Sequence, residues 1–157
     1  MTRVLMGHGT NPDFQNWGED VKDQVLSMLL GPCLAVGVGR AVFEVNGNPT
    51  MVVKVEDVSQ SFQNVIEWEF WNTFRKEPIR KWLAPCLAIS NQGRVLLQAR
   101  TSPLRHGDRV RVPEYFSDLK CGNFGYLGTR VVCHDYGLLS GDTLRRGQRH
   151  KLVFLES

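Results

Sequence analysis

Asp118-Leu119-Lys120-Cys121-Gly122-Asn123, a short run to Tyr126, the strand-like Arg130-Val131-Val132-Cys133 and then His134-Asp135-Tyr136-Gly137 form the stretch that decides the fold. The Val-rich run and the run before it predict a β-hairpin. The hairpin is entered by an Asp with an Asn five positions later and is left through Asp-aromatic-Gly. Each piece alone reads as a turn, because Asp and Asn are turn formers and Gly ends strands. In this order, across one hairpin, they point to a shared site.

The chemistry of that set is specific. Phosphoryl transfer needs a carboxylate to orient or deprotonate the attacking hydroxyl, and oxygen ligands for magnesium. Asp118 is the candidate base, and Asn123 and Asp135 are the candidate metal ligands. Magnesium keeps several waters, so two protein ligands and the phosphates of ATP suffice.

The chain has 157 residues, 42% hydrophobic and 22% charged, which is enough for one domain with one sizeable core. It has no basic segment followed by an apolar run at its start, and no stretch approaching the roughly 20 apolar residues of a membrane span. A soluble, cytoplasmic protein is expected, with no membrane partner. Cys33, Cys86, Cys121 and Cys133 lack metal-site spacing and read as reduced and structural. The net charge of +3 is uneven: from Arg75 to Arg111 nine Arg or Lys face two acids. Arg145, Arg146, Arg149, His150 and Lys151 form a second basic cluster. Both read first as solvated faces. With no stacking motif behind them, a nucleic-acid partner is not expected.

In chain order, residues 1–18 read as an irregular arm. Residues 19–30 carry Val21, Val25, Leu26, Met28, Leu29 and Leu30 near helical spacing, with Gly31-Pro32 as the stop and one face expected against a sheet. Leu34–Val45 and Thr50–Val55 read as two strands around the tight turn Asn46-Gly47. The first contains Gly37 and Gly39, and the second contains Lys54. Ser61–Phe74 reads as a helix capped by Ser59 or Ser61 and packed on two sides. Glu67 and Glu69 lie on it, and Glu67 is preferred as the inward acid because Trp71 continues its face. Trp82–Ile89 and Arg94–Ala99 form a further hairpin around Ser90-Asn91-Gln92-Gly93. Residues 102–112 are a polar connector, and Leu152–Leu155 read as a last strand.

Gly37 and Gly39, Lys54, Glu67, Gln98, Asp118 with Asn123, and Asp135-Tyr136-Gly137 occur in an order that resembles the protein-kinase-like superfamily over roughly residues 34–140. The chain also resembles the small kinase-like proteins that bacteriophages encode. That resemblance implies an α+β fold: an N-lobe-like part (34–101) with an antiparallel sheet and one long helix, then a much reduced C-lobe-like part (102–157) carrying the catalytic hairpin. It implies glycines that admit phosphates, Lys54 clamping phosphates under Glu67, a Gln98–Thr101 hinge facing adenine, and Lys120 reaching the transferring group. ATP and magnesium are the implied cofactors. Val42 stands where the third glycine of the pattern falls. Only 20 residues, Gln98 to Ser117, separate the fifth strand from Asp118, and 20 follow Gly137.

Two readings follow. One is a minimal ATP/Mg-dependent phosphotransferase acting on a protein or small molecule. The other is a catalytically inactive kinase-like module of the phage host-takeover or inhibitor type, whose partner is a host protein in the bacterial cytoplasm. The sequence sets no oligomeric state.

Overall fold

In the computed structural model, residues 19–37, 39–57, 62–137 and 151–155 are described. The predicted arm, the capping serines Ser59 and Ser61, and Arg145, Arg146, Arg149 and His150 lie outside them. The fold is α+β, with two α-helices and mostly antiparallel sheets.

Helix α1 (Glu19–Leu29) leads directly into strand β1 (Leu30–Gly37), which pairs with β2 (Arg40–Val45). The expected single strand from Leu34 to Val45 is therefore two strands. The chain reverses at Gly39, whose φ of 76° suits a residue without a Cβ. The helix ends at Leu29, one residue short of the expected Leu30 and just before Gly31-Pro32, and that pair is already part of β1. It lies in a register shift between Leu30 and Cys33 on an edge strand, where proline's missing donor removes no ladder bond on the outer side. The end of α1 is held instead by Asn46, whose Nδ2 donates to the carbonyls of Met28 and Leu30, both at 3.0 Å.

Strand β3 (Asn48–Glu56) returns from the Asn46-Gly47 turn, and with β4 (Cys86–Ile89) and β5 (Val95–Ala99) it completes a five-stranded sheet ordered β1-β2-β3-β5-β4. The expected strand from Trp82 is shorter than the sequence implied. Pro78–Trp82 is a 3-10 turn, and pairing with β5 begins only at Cys86.

Helix α2 (Gln63–Phe74) crosses one face of this sheet. Asn64, Glu67 and Phe70 recur every three residues and are its buried positions. Among the described residues its N-terminus is closed by Glu56, whose carboxylate accepts from the amides of Gln63 (2.6 Å) and Asn64 (3.3 Å). A carboxylate there satisfies donors that a helix start leaves open and complements its dipole.

A second body follows. Strands β6 (Ser102–Pro103), β8 (Phe124–Leu127) and β9 (Arg130–Cys133) form a three-stranded sheet, and β7 (Arg111–Pro113) pairs with β10 (Leu152–Phe154). The predicted hairpin is β8–β9, paired from Phe124↔Cys133 to Leu127↔Arg130. Phe70, Leu83, Leu96, Val112, Phe116, Phe124 and Tyr136 form one buried cluster spanning both bodies. The expectation that α1 buries its apolar side is not met: Val21, Val25, Met28 and Leu29 are all at least 39% exposed. No helix among the described residues is long and apolar enough to cross a membrane.

Backbone proximity at the sheet junction sets a test. A Cβ on Gly125 would lie 2.6 Å from the carbonyl oxygen of Ser102, whereas one on Gly122 meets nothing within 4 Å. Gly125→Ala should lower unfolding free energy in urea by about 1–3 kcal/mol. Gly122→Ala should change it by less than about 0.5 kcal/mol.

Candidate functional site

Strand alternation puts residues of one parity on one face, and antiparallel register aligns those faces across neighbours. Arg40 pairs with Glu56, and Val52 pairs with Gln98. Lys54 pairs with Val42 on one side and Leu96 on the other. Arg40, Lys54, Glu56 and Gln98 therefore share the face that α2 covers. Together with Asn64 and Glu67 of α2 they make up the buried polar and charged residues among those described.

Glu67 is the centre of this layer and is 0% exposed. Its Oε2 accepts from Lys54 Nζ at 2.8 Å, and its Oε1 accepts from Arg40 Nη1 at 3.0 Å. Gln98 Nε2 adds a longer contact of 3.4 Å. Glu69 is exposed, so the acid facing Lys54 is Glu67. Arg40 also donates through Nη2 to Asp135 Oδ1 at 2.8 Å and through Nη1 to Asn64 Oδ1 at 3.4 Å. Burial works against the Arg40 charge, but Glu67 and Asp135 outweigh it and hold its pKa above the usual value. For Asp135, burial favours the protonated acid. Arg40 and then Lys54 outweigh that and keep its pKa below the usual carboxylate value.

The segment that carries Asp135 is fixed from several sides. Lys54 Nζ also donates to the carbonyl of His134. The amides of His134 and Asp135 both donate to the carbonyl of Asn123, at 2.9 and 3.3 Å. His134 Nε2 lies 2.9 Å from the carbonyl of Gly122 and must be the protonated nitrogen, so Nδ1 accepts from the Thr101 hydroxyl at 2.8 Å. Burial and the charge of Lys54 lower the His134 pKa from 6.5 to about 4. Tyr136 is 1% exposed, donates to the carbonyl of Ala84 at 2.8 Å and packs against Phe70 with the rings tilted and their centroids 5.8 Å apart.

Asp118, Asn123 and Asp135 line one small cleft of about 50 Å³, with Phe116, Cys133 and Tyr136 behind them. Asn123 Nδ2 donates to the Asp118 carbonyl at 3.4 Å, which orients the amide. Asp118 Oδ2 meets Lys120 Nζ at 3.5 Å, with the lysine side chain 75% exposed. Thus Lys54, Glu67 and Asp135 are linked through Arg40 and His134, and Asp118, Asn123 and Asp135 share a cleft. Lys120 stays at the surface beside Asp118.

Gly37 and Gly39 flank the β1–β2 reversal immediately before Arg40. Gln98 sits inside the sheet between β3 and β4, 0% exposed. The amides after it are engaged, Ala99 with the carbonyl of Pro85 and Arg100 with that of Thr50, both at 2.9 Å. A second, more open pocket of about 330 Å³ lies beyond His134, lined by Thr101, Pro103, Leu104, Gly122 and Phe124.

Among the described residues no group of three or more His, Cys, Asp or Glu side chains is arranged to hold a metal ion. Asn123 and Asp135 still offer the hard oxygen donors that suit magnesium, which phosphate oxygens and water can complete. Sequence reasoning missed Arg40, Asn64, Glu56 and His134. For Arg40 the signal was parity, two positions before Val42 on a strand bordering the lysine strand. Reading it needed the register.

No protein-family model matches the chain, and a search of curated proteins finds no match.

Two outcomes follow from this geometry. Glu67→Gln leaves Arg40 and Lys54 buried with less counter-charge and should cost about 3–5 kcal/mol of unfolding free energy. Glu69→Gln should cost less than about 0.5 kcal/mol. For His134, the folded pKa of about 4 lies below the unfolded 6.5, so the unfolded chain takes up the proton first. Its contribution is complete above 6.5 and is lost as pH falls towards 4, by at most about 1.4 kcal/mol per pH unit. Urea melts across that window should show the slope in the wild type and a flatter profile in His134→Gln.

Proposed function

We propose that the chain is a minimal kinase-like phosphotransferase that uses ATP with magnesium. In this reading the five-stranded sheet and α2 act as an N-lobe-like unit, and residues 102–137 with β10 act as a reduced C-lobe-like unit. The observation that carries it is the meeting of two sets: the buried Lys54–Glu67 pair, and the Asp118, Asn123 and Asp135 cleft, joined where Lys54 holds the His134 carbonyl beside Asp135.

The chain's own residues take the following roles. Lys54 lends positive charge to phosphate oxygens while Glu67 fixes its position. Asp118 accepts the proton of the attacking hydroxyl as the new O–P bond forms and the bond from the γ-phosphorus to the bridging oxygen breaks, ADP leaving with that electron pair. Lys120 beside Asp118 offers a mobile cation to the transferring group. Asn123 and Asp135 are the residues that would hold magnesium, which supplies neutralisation of phosphate charge when bound. The pocket at Thr101 has a volume within the ligand-pocket range of about 300–1,000 Å³, and the cleft at Asp118 does not. The base is therefore assigned to the Thr101 side and the phosphates to the Asp135 side. Because the Ala99 and Arg100 amides are engaged, base recognition rests on apolar contact with Pro103, Leu104 and Phe124 more than on backbone pairing.

A second reading has its own support. Val25 and Met28 of α1 and Leu34 and Val36 of β1 are 53%, 76%, 43% and 79% exposed. Apolar surface of that kind on two consecutive elements suits a protein partner, such as a host protein, with the fold serving as scaffold.

Thermal and urea unfolding with and without ATP and magnesium, on wild type and Asp135→Asn, separates the two. The phosphotransferase reading expects a gain of roughly 2.7 kcal/mol at a hundredfold excess of ligand over its dissociation constant. The metal-dependent part of that gain should vanish in Asp135→Asn. No gain in either protein rejects nucleotide binding and leaves the scaffold reading.

A further inference from the structure

Arg40 is the member of the buried charge layer that forms a salt bridge with Asp135, and none of the roles above uses it. Its guanidinium is a rigid planar fork whose charge is permanent. Three contacts hold the fork: Nη1 lies 3.0 Å from Glu67 Oε1 and 3.4 Å from Asn64 Oδ1, and Nη2 lies 2.8 Å from Asp135 Oδ1. The Arg40 side chain is 6% exposed and Glu67 0%, so little water screens that pair, while Asp135 is 44% exposed and faces solvent. Lys54, Glu67, Arg40 and Asp135 thereby form a chain of alternating sign, two cations against two carboxylates, that is complete without any added ion.

We propose that Arg40 is the resident cation of this site and that it excludes a divalent ion from Asp135. The inference rests on the reading of Asn123 and Asp135 as the metal-binding pair. A divalent ion at Asp135 meets a guanidinium already bonded to the same carboxylate at 2.8 Å, and at that close range the two cations repel each other. Metal entry therefore requires Arg40 to turn away. An anion such as a triphosphate, which competes with Asp135 for the guanidinium, releases the carboxylate to the metal. Arg40 lies immediately after Gly39 at the β1–β2 reversal, so displacement of that turn moves the fork as well. Metal and polyanion binding are then positively coupled through one side chain.

The test is Mn2+ binding, read from the electron paramagnetic resonance signal of the free ion, with Mn2+ as the only added ligand. Mn2+ shares magnesium's preference for oxygen donors. Arg40→Gln should bind Mn2+ at least about tenfold more tightly than wild type, because one unit of nearby positive charge is gone. Asp135→Asn in the Arg40→Gln background should abolish the gain. Arg40→Lys keeps the charge but not the fork and should fall between the two. Should Arg40→Gln fail to fold, Arg40→Lys against wild type carries the comparison. Equal affinities, a gain that survives Asp135→Asn, or no Mn2+ binding in any folded Arg40 variant overturns the proposal. So does tight Mn2+ binding by the wild type that Asp135→Asn removes. Tightening in the variant with no stabilisation by ATP supports this proposal and rejects the phosphotransferase reading. Stabilisation by ATP with equal Mn2+ affinities does the reverse.

Discussion

A fully buried carboxylate must be paired, and the Glu67 side chain imposes that demand on the rest of the molecule. Two strands answer it, with Arg40 from β2 and Lys54 from β3, and each cation then extends to the 134–137 segment. Helix α2 supplies the acid, and Glu56 at the end of β3 closes that helix's start. The sheet, the helix and the segment after β9 are thus tied by the same few charges. Tyr136 adds an apolar anchor beneath them, with its hydroxyl on the Ala84 carbonyl.

A layer of this kind confers position more than stability. Buried ion pairs recover little beyond their desolvation cost, yet losing one partner leaves an uncompensated charge. What the layer secures is the placement of Asp135 next to Asn123 and Asp118, whose carbonyls and amides are themselves interlocked. His134 contributes from the other side: its neutral ring bridges Thr101 and Gly122 and fixes the segment between the cleft and the larger pocket. The cleft and the larger pocket therefore share one short stretch of backbone.

Much of this was legible in the residues. The β8–β9 hairpin followed from its valine-rich run, and Lys54 stood out as a cation in an otherwise apolar strand. The preference for Glu67 over Glu69 followed from which helix face continued inward. What was not legible depended on register or on distant contacts. Arg40, after two glycines, has no role that the sequence reveals until pairing with Glu56 puts it beneath α2. Gly31-Pro32 reads as a stop because proline breaks helices, but an edge strand with a bulge accommodates it equally well. The helical spacing of α1 gave the helix but not its environment, since periodicity marks an apolar face without saying what covers it. Gln98 read as the start of a hinge facing adenine, although its place between two strands makes its side chain part of the buried layer.

The central claim is that Arg40 and Asp135 are energetically coupled across the junction between the sheet and the 134–137 segment. A double-mutant cycle of Arg40→Gln and Asp135→Asn, read as unfolding free energy in urea, measures that coupling directly. The account predicts an interaction energy of about 1–3 kcal/mol, as for residues in contact within one ion-pair network. Additivity within about 0.3 kcal/mol would contradict it, because the two side chains would then be independent.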